Sequence, residues 1–269
     1  KKRTDLPMTS DAITYEARDG IATLTLNRPD VRNAINNNLL SRLEELVATL
    51  RFDASVRVVI ITGSGTKAFC AGADLAETAE KPEDFRVEDQ LNGEYKPILL
   101  EMNRADKPWI AAVNGAAAGI GSAFAMNCDL VVMAENAYIY QAFAAIGLVP
   151  DGGATWHLVR TLGRHRAYEV IVSGEKIRAQ KCLHWGLCNR VVPEGELLAQ
   201  ALAWAEELAA KSPLALRYAK QALNAAMEMS VGETISYEAG LQHLCINSDD
   251  AKEGVAAFIE KRAPRWQGR

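Results

Sequence analysis

The chain has 269 residues, enough to bury a substantial core in one large domain or two small ones. Hydrophobic residues make up 49% and charged residues 24%, as in ordinary globular proteins, and the formal net charge of −4 argues against a general nucleic-acid binder. No apolar run reaches membrane-spanning length, and the charged start Lys1-Lys2-Arg3 lacks the apolar segment of a signal peptide.

Five cysteines, Cys70, Cys128, Cys182, Cys188 and Cys245, are odd in number and form no C-x-x-C pair. Neither a disulfide framework nor a zinc site is expected, so they read as small buried hydrophobes in a cytoplasmic protein.

Residues 13–18 and 21–26 alternate around Asp19-Gly20 and predict a β-hairpin. Residues 39–50 carry Leu39, Leu40, Leu43, Leu46, Val47 and Leu50 at helical spacing. The β-branched run 56–62 predicts a buried strand, and Gly63-Ser64-Gly65 a turn. A second glycine turn follows at Ala71-Gly72-Ala73-Asp74, and the acidic, Pro-containing stretch 76–87 reads as a mobile loop. Residues 95–102 read as helix and 109–113 as a strand, which runs into Asn114-Gly115-Ala116-Ala117-Ala118-Gly119-Ile120-Gly121. Further strands are predicted at 130–134 and 137–140. This alternation indicates an α/β core. Beyond about Pro193 the pattern is helical, over 197–210, 214–229, 235–246 and 251–259, and these helices suit either their own core or an oligomer interface.

The stretch 111–124 carries the first functional signal. An apolar strand ends in a Gly/Ala turn that opens a helix, and such a corner presents bare backbone N–H groups where negative charge is favoured. Gly119-Ile120-Gly121 begins like a dinucleotide fingerprint, but Phe124 stands at the third glycine position. There is no phosphate-binding G-x-x-x-x-G-K-[ST] loop and no G-x-S-x-G nucleophile elbow. His157, His165, His184 and His243 lack metal-ligand spacing, so no metal site is expected. A third glycine turn, Gly147-Leu148-Val149-Pro150-Asp151-Gly152-Gly153, holds Asp151 just before a helix. There it is either a helix cap or, among apolar neighbours, a carboxyl with a raised pKa suited to proton transfer.

Asn27-Arg28-Pro29, the Ala-Gly-Ala-Asp turn, the 111–124 stretch and the closing Phe258-Ile259-Glu260-Lys261-Arg262-Ala263-Pro264 together resemble the crotonase superfamily of enoyl-CoA hydratases and isomerases, nearly end to end. The resemblance implies a spiral of ββα turns over residues 1–196 that binds acyl-CoA. It also implies a helical region, 197–269, that builds a homotrimer or a dimer of trimers. The backbone N–H groups of Ala73 and Ile120 match the family's oxyanion hole, CoA contacts fall on Arg28, Arg32, Ala71, Asp74, Leu75 and Lys261, and the aromatic Trp109, Tyr140 and Phe143 are candidates for an acyl pocket or for plain core. The two glutamates typical of the hydratases fall at Ala123 and Phe143, neither of which transfers protons.

Asp151 matches the acid/base aspartate of 1,2-epoxyphenylacetyl-CoA isomerases, whose Gly-Leu-Val-Pro-Asp pattern this chain shares. Dienoyl-CoA isomerases add carboxylates missing here, and the 4-chlorobenzoyl-CoA dehalogenases need a positioned histidine that the sequence does not reveal. The implied function is an acyl-CoA isomerase that shifts a double bond or rearranges a ring through a thioester enolate. CoA belongs to the substrate and no separate cofactor is expected. The alternatives are an atypical enoyl-CoA hydratase and a catalytically poor acyl-CoA-binding protein.

Overall fold

The predicted hairpin forms across Asp19-Gly20 in the computed structural model, which describes residues 12–269. There β1 (Ile13–Arg18) pairs antiparallel with β2 (Ile21–Leu26), Ile13 facing Leu26. The charged start at residues 1–6 lies outside the described residues. Helix α1 (Asn37–Phe52) buries the six apolar positions read from its spacing, and the Asn36 side chain caps it by accepting the Leu39 N–H at 3.0 Å. Strand β3 (Val58–Gly63) is buried at every position, as a strand in a parallel sheet covered on both faces must be.

From β3 onward one unit recurs: a long strand, a sharp corner, a short strand and helix. After β3 come β4 (Ala68–Cys70), α2 (Leu75–Ala79), α3 (Val87–Gln90) and α4 (Lys96–Arg104). Strand β5 (Trp109–Val113) turns into β6 (Ala116–Ala118) and α5 (Ile120–Met126). The third unit is β7 (Leu130–Ala134), β8 (Tyr138–Tyr140), α6 (Ala154–Leu162) and α7 (Arg164–Ser173). The chain then adds β9 (Lys176–Arg178), α8 (Ala179–Trp185) and β10 (Arg190–Val192).

The long strands assemble one sheet in the order β1-β2-β3-β5-β7-β10, and the short ones a second in the order β4-β6-β8-β9. Each turn of chain therefore contributes one strand to each sheet, which is the expected ββα spiral. The corner between β5 and β6 needs glycine: a Cβ on Gly115 would lie 2.5 Å from the Lys67 carbonyl.

The C-terminal part is helical, with α9 (Leu197–Ala209), α10 (Pro213–Ala226), α11 (Val231–Ile246) and α12 (Asp249–Glu260). Helix α9, just past the expected division at 196/197, covers β3, β5 and β7 and buries Leu197, Ala201 and Ala205 in the core. Helix α10 is tied to the spiral by Lys220, whose ammonium reaches the Met102 carbonyl and the Asp129 carboxylate, each at 2.8 Å. Among the described residues no helix is long and apolar enough to cross a membrane.

Several elements differ from the sequence expectations. The loop predicted over 76–87 starts instead as helix α2, because Asp74 accepts the Ala76 and Glu77 N–H groups and nucleates a turn. Strand β6 was not foreseen, since three alanines carry little β-propensity and are held by pairing with β4 and β8. Helix α10 stops at Ala226 rather than 229, and α11 starts at Val231 rather than 235. Ser230 and Glu233 form a reciprocal capping box at that start.

Candidate active site

The Ala71–Asp74 turn is braced from beneath. Arg28 donates through Nη1 to the Asp74 carboxylate at 2.9 Å and to the Ala34 carbonyl at 2.6 Å. The buried Asn33 amide donates to the Ser64 and Ala68 carbonyls, pinning the turn to β4. Burial raises the Asp74 pKa, but the Arg28 hydrogen bond, the Glu77 N–H and the Arg28 charge outweigh it and hold the carboxyl below its ordinary range. Asp74 is thus a fixed anion at the α2 N-terminus, where the helix dipole favours it.

Ile35 donates its N–H to the Gly72 carbonyl and accepts the Asp74 N–H. In this parallel bridge the residue between, Ala73, turns its own N–H away from Ile35. Ile120 is the first residue of α5, where an N–H has no intrahelical acceptor. Neither the Ala73 nor the Ile120 N–H has a hydrogen-bond acceptor among the described residues. The turns carrying them abut backbone to backbone: a Cβ on Gly72 would lie 3.1 Å from the Ala118 carbonyl and 3.7 Å from the Gly119 Cα. Both glycines have positive φ, +102° and +52°, which the close approach requires.

Asp151 is held against this corner by its neighbour. Gly152 packs so tightly that a Cβ there would lie 2.8 Å from the Ala123 Cβ and 2.9 Å from Ile120 Cγ1. Asp151 does not cap α6: the capping position is Gly153, without a side-chain bond. Its Oδ1 is buried with no hydrogen-bond partner. Burial pushes the carboxyl up to about 6, with its own backbone N–H opposing the shift.

Asp151 opens onto a cavity of about 920 Å³ whose apolar walls include Leu91, Leu99, Leu100, Val149 and Trp156. Tyr95 shares it; burial and then nearby charges, Asp151 among them, raise its phenol so that it stays neutral. His157 also lines it, and burial together with the Arg160 charge pushes the imidazole down to about 4, leaving it neutral. Arg160 stacks 4.2 Å over Trp156 and pairs with Glu228 at 2.6 Å, closing the wall between α6 and the end of α10.

The structure brings Ala71, Ala73, Asp74, Ile120 and Asp151 to one corner. Phe143 is buried over it, its ring 3.7 Å from where a Gly119 Cβ would sit. None of the three candidates for the acyl pocket, Trp109, Tyr140 and Phe143, lines the cavity. Trp109 faces Val47, Leu50 and Ala105 on the other side of β5 and is 1% exposed, because strand alternation turns it toward α1 and α4. Tyr140 lies beside Gly174, and its carbonyl accepts the Gly119 N–H. Arg28 is committed to the Asp74 brace, whereas Arg32 and Leu75 are exposed near the turn, and Lys261 is exposed at the end of α12. Sequence reading did not single out Tyr95 or the α4 face that continues from it, whose only signal was the spacing Leu91, Tyr95, Leu99.

The family model described as enoyl-CoA hydratase/isomerase matches residues 16–269. The 2,3-dehydroadipyl-CoA hydratase of Escherichia coli is 39% identical over 93% of this chain and 96% of its own length. The 1,2-epoxyphenylacetyl-CoA isomerase of the same organism is 35% identical with the same coverage, 93% and 96%. The crystal structure of an enoyl-CoA hydratase from Bacillus anthracis superposes with a TM-score of 0.91 at 33% identity, covering 96% of this chain and 99% of that one. The chain therefore belongs to the enoyl-CoA hydratase/isomerase family, the crotonase superfamily, and is an enzyme of that type acting on CoA thioesters.

Proposed function

We propose that the protein is an acyl-CoA isomerase that works through a thioester enolate with one carboxyl as its proton carrier. The carrying observation is Asp151: half-buried, with Oδ1 buried and unpartnered, raised to about 6, and packed through Gly152 against the Ile120 corner. As carboxylate it takes a proton from a carbon conjugated to the thioester, and the released electron pair moves onto the thioester oxygen. The Ala73 and Ile120 N–H groups hold that oxygen, each worth about 3–4 kcal/mol in the transition state. Asp151 then returns the proton to a different carbon, so the product is an isomer and nothing is consumed. A pKa near the working pH suits a group that must both accept and donate.

The absence of glutamates at Ala123 and Phe143 supports moving a proton over adding water, which calls for a second group to orient it. The hydratase reading is kept by the relatives, several of which carry that name. An assay of unsaturated CoA thioesters in ¹⁸O-labelled water separates the two. Isomerised product without labelled hydroxyl is expected, and a labelled hydroxyacyl product refutes the isomerase. Binding without turnover across the panel would leave an acyl-CoA-binding protein.

CoA enters as part of the substrate, with Arg32, Leu75 and Lys261 as its proposed contacts. We also propose a homotrimer or dimer of trimers built through residues 197–269. Because α9 is committed to the core, assembly falls to α10–α12, where Leu223, Val231, Ile235, Leu244, Phe258 and Ile259 are exposed. Sedimentation equilibrium tests this. All five cysteines are free, as a reducing compartment such as the cytoplasm keeps them.

A further inference from the structure

One wall of the cavity is a single face of α4, and its charges indicate what the far end of the substrate carries. Lys96, Leu99, Leu100, Asn103 and Arg104 line it at helical spacing, continuing from Tyr95. Tyr95 stands at the reacting end, since it shares the cavity lining with Asp151 and its ring lies 6.4 Å from that of Phe124 on α5. Arg104 lies nine residues further on, about 13 Å along the axis at 1.5 Å per residue. An extended chain advances about 1.3 Å per bond, so this distance takes roughly ten bonds. A cavity of about 920 Å³ lies near the upper end of the range for small-molecule sites and has room for such a chain.

The other charged groups in the wall are unequally satisfied. Glu228 is paired with Arg160 at 2.6 Å, and Glu88 with Arg86 at 2.9 Å. The side chains of Lys96 and Arg104, both exposed residues, have no ion pair or hydrogen-bond partner among the described residues. Beside Arg104, the Asn224 amide donates to the Asn103 carbonyl at 2.9 Å and more loosely to its Oδ1, so the Asn103 side-chain N–H₂ has no acceptor. The cavity end at the last turn of α4 therefore presents an exposed guanidinium and a free amide donor, while the wall carboxylates of Glu88 and Glu228 are both paired.

We propose that this cavity selects acyl-CoA thioesters whose chain ends in a carboxylate about ten bonds beyond the reacting carbons, with Arg104 pairing with the carboxylate and Asn103 donating to it. Leu91, Leu99, Leu100 and Trp156 pack the apolar part of the chain. The assignment rests on the acyl-CoA reading of the site. The competing account is that Arg104, in the last turn of α4, only complements the helix C-terminus.

Saturated thioesters test this independently of turnover, because they lack the double bond on which the reaction depends. A saturated acyl-CoA of about twelve carbons and its ω-carboxy counterpart are titrated calorimetrically into the wild type, Arg104→Met and Arg104→Lys. The wild type should bind the ω-carboxy ester about tenfold more tightly, the low end for a charge-assisted hydrogen bond. Arg104→Met should abolish the difference and Arg104→Lys should retain part of it. Equal affinities in the wild type, or equal weakening of both esters by Arg104→Met, overturn the proposal. Butyryl-CoA, too short to reach Arg104, is titrated into the wild type alongside. If it binds while neither long ester does, the assigned reach is wrong but the acyl-CoA reading survives. If no thioester binds, both fall.

Discussion

Asp151→Asn should stabilise the protein at neutral pH while it removes turnover. The folded carboxyl titrates at about 6 against an ordinary value of 3.8, because burial disfavours its charge. Below pH 4 both folded and unfolded chains hold the proton, and the site contributes nothing to the pH dependence. Between about pH 4 and 6 the folded chain retains a proton that the unfolded chain has lost, so wild-type stability falls as pH rises through this window. The shift of about two units sets an upper bound of about 3 kcal/mol, which residual solvent access reduces to about 1–2 kcal/mol. An amide is nearly the same shape and carries no charge, so the D151N variant escapes this loss. Its advantage over the wild type should be near zero at pH 4 and complete above pH 7, appearing as about 2–8 °C in Tm for a chain of this size. Thermal unfolding of both proteins from pH 4 to 8 measures it. Parallel pH profiles, or a D151N variant less stable at pH 7, would refute a buried, charge-strained carboxyl. In turnover assays the variant should lose about 10²–10⁴-fold in kcat. The wild-type rate should rise with pH through about 6 as the base ionises.

Ile120→Pro removes one oxyanion donor at a first-turn position that tolerates proline. It should cost about 10²–10³-fold in kcat with the circular dichroism spectrum retained, and a near-normal kcat would remove Ile120 from the hole. Ala123→Glu, placing a hydratase-type glutamate where Ala123 is 0% exposed and faces Gly152, should destabilise by about 3 kcal/mol or more without conferring hydration. Denaturant titration and product analysis check both parts, and a stable, hydrating variant would overturn the packing account. Lys220→Met leaves the Asp129 carboxylate, already raised by burial against the pull of Lys220, without its cation. A loss of about 2–4 kcal/mol is expected from denaturant titration, and a change under about 0.5 kcal/mol would show that the pair does not hold α10.

The parts of this fold legible in the sequence are those where one local signal decides. The Asp19-Gly20 hairpin, the Leu/Val spacing of α1 and the β-branched β3 were readable because side-chain period fixes the buried face. Strand β6 was not, since Ala116-Ala117-Ala118 becomes a strand only through partners nearly fifty residues upstream in β4 and about twenty downstream in β8. The glycines of the two backbone turns and Asp151 stood out locally. The cavity did not, because its walls come from α4, α6 and the end of α10, and no local pattern says that these meet. For the same reason composition could not separate Phe143, which packs on the corner, from Trp109, which strand alternation sends to the far side.

The missing glutamates and the raised aspartate are two aspects of one packing arrangement. Gly152 fills the space beside Ala123 to within van der Waals limits, and the Phe143 ring covers Gly119. Both positions where a second carboxyl would stand are therefore occupied by apolar contacts. Asp151, half-buried beside that packing, has no partner at Oδ1, so burial outweighs the opposing pull of its own backbone N–H and its pKa climbs. A glutamate at either position would bring a like charge and its hydration into the same space. On the isomerase reading proposed above, the fold trades a pair of polar groups that could orient water for a single carboxyl with a raised pKa. The D151N and Arg104 variants therefore test separate parts of the proposal, the first the proton carrier and the second the choice of acyl chain.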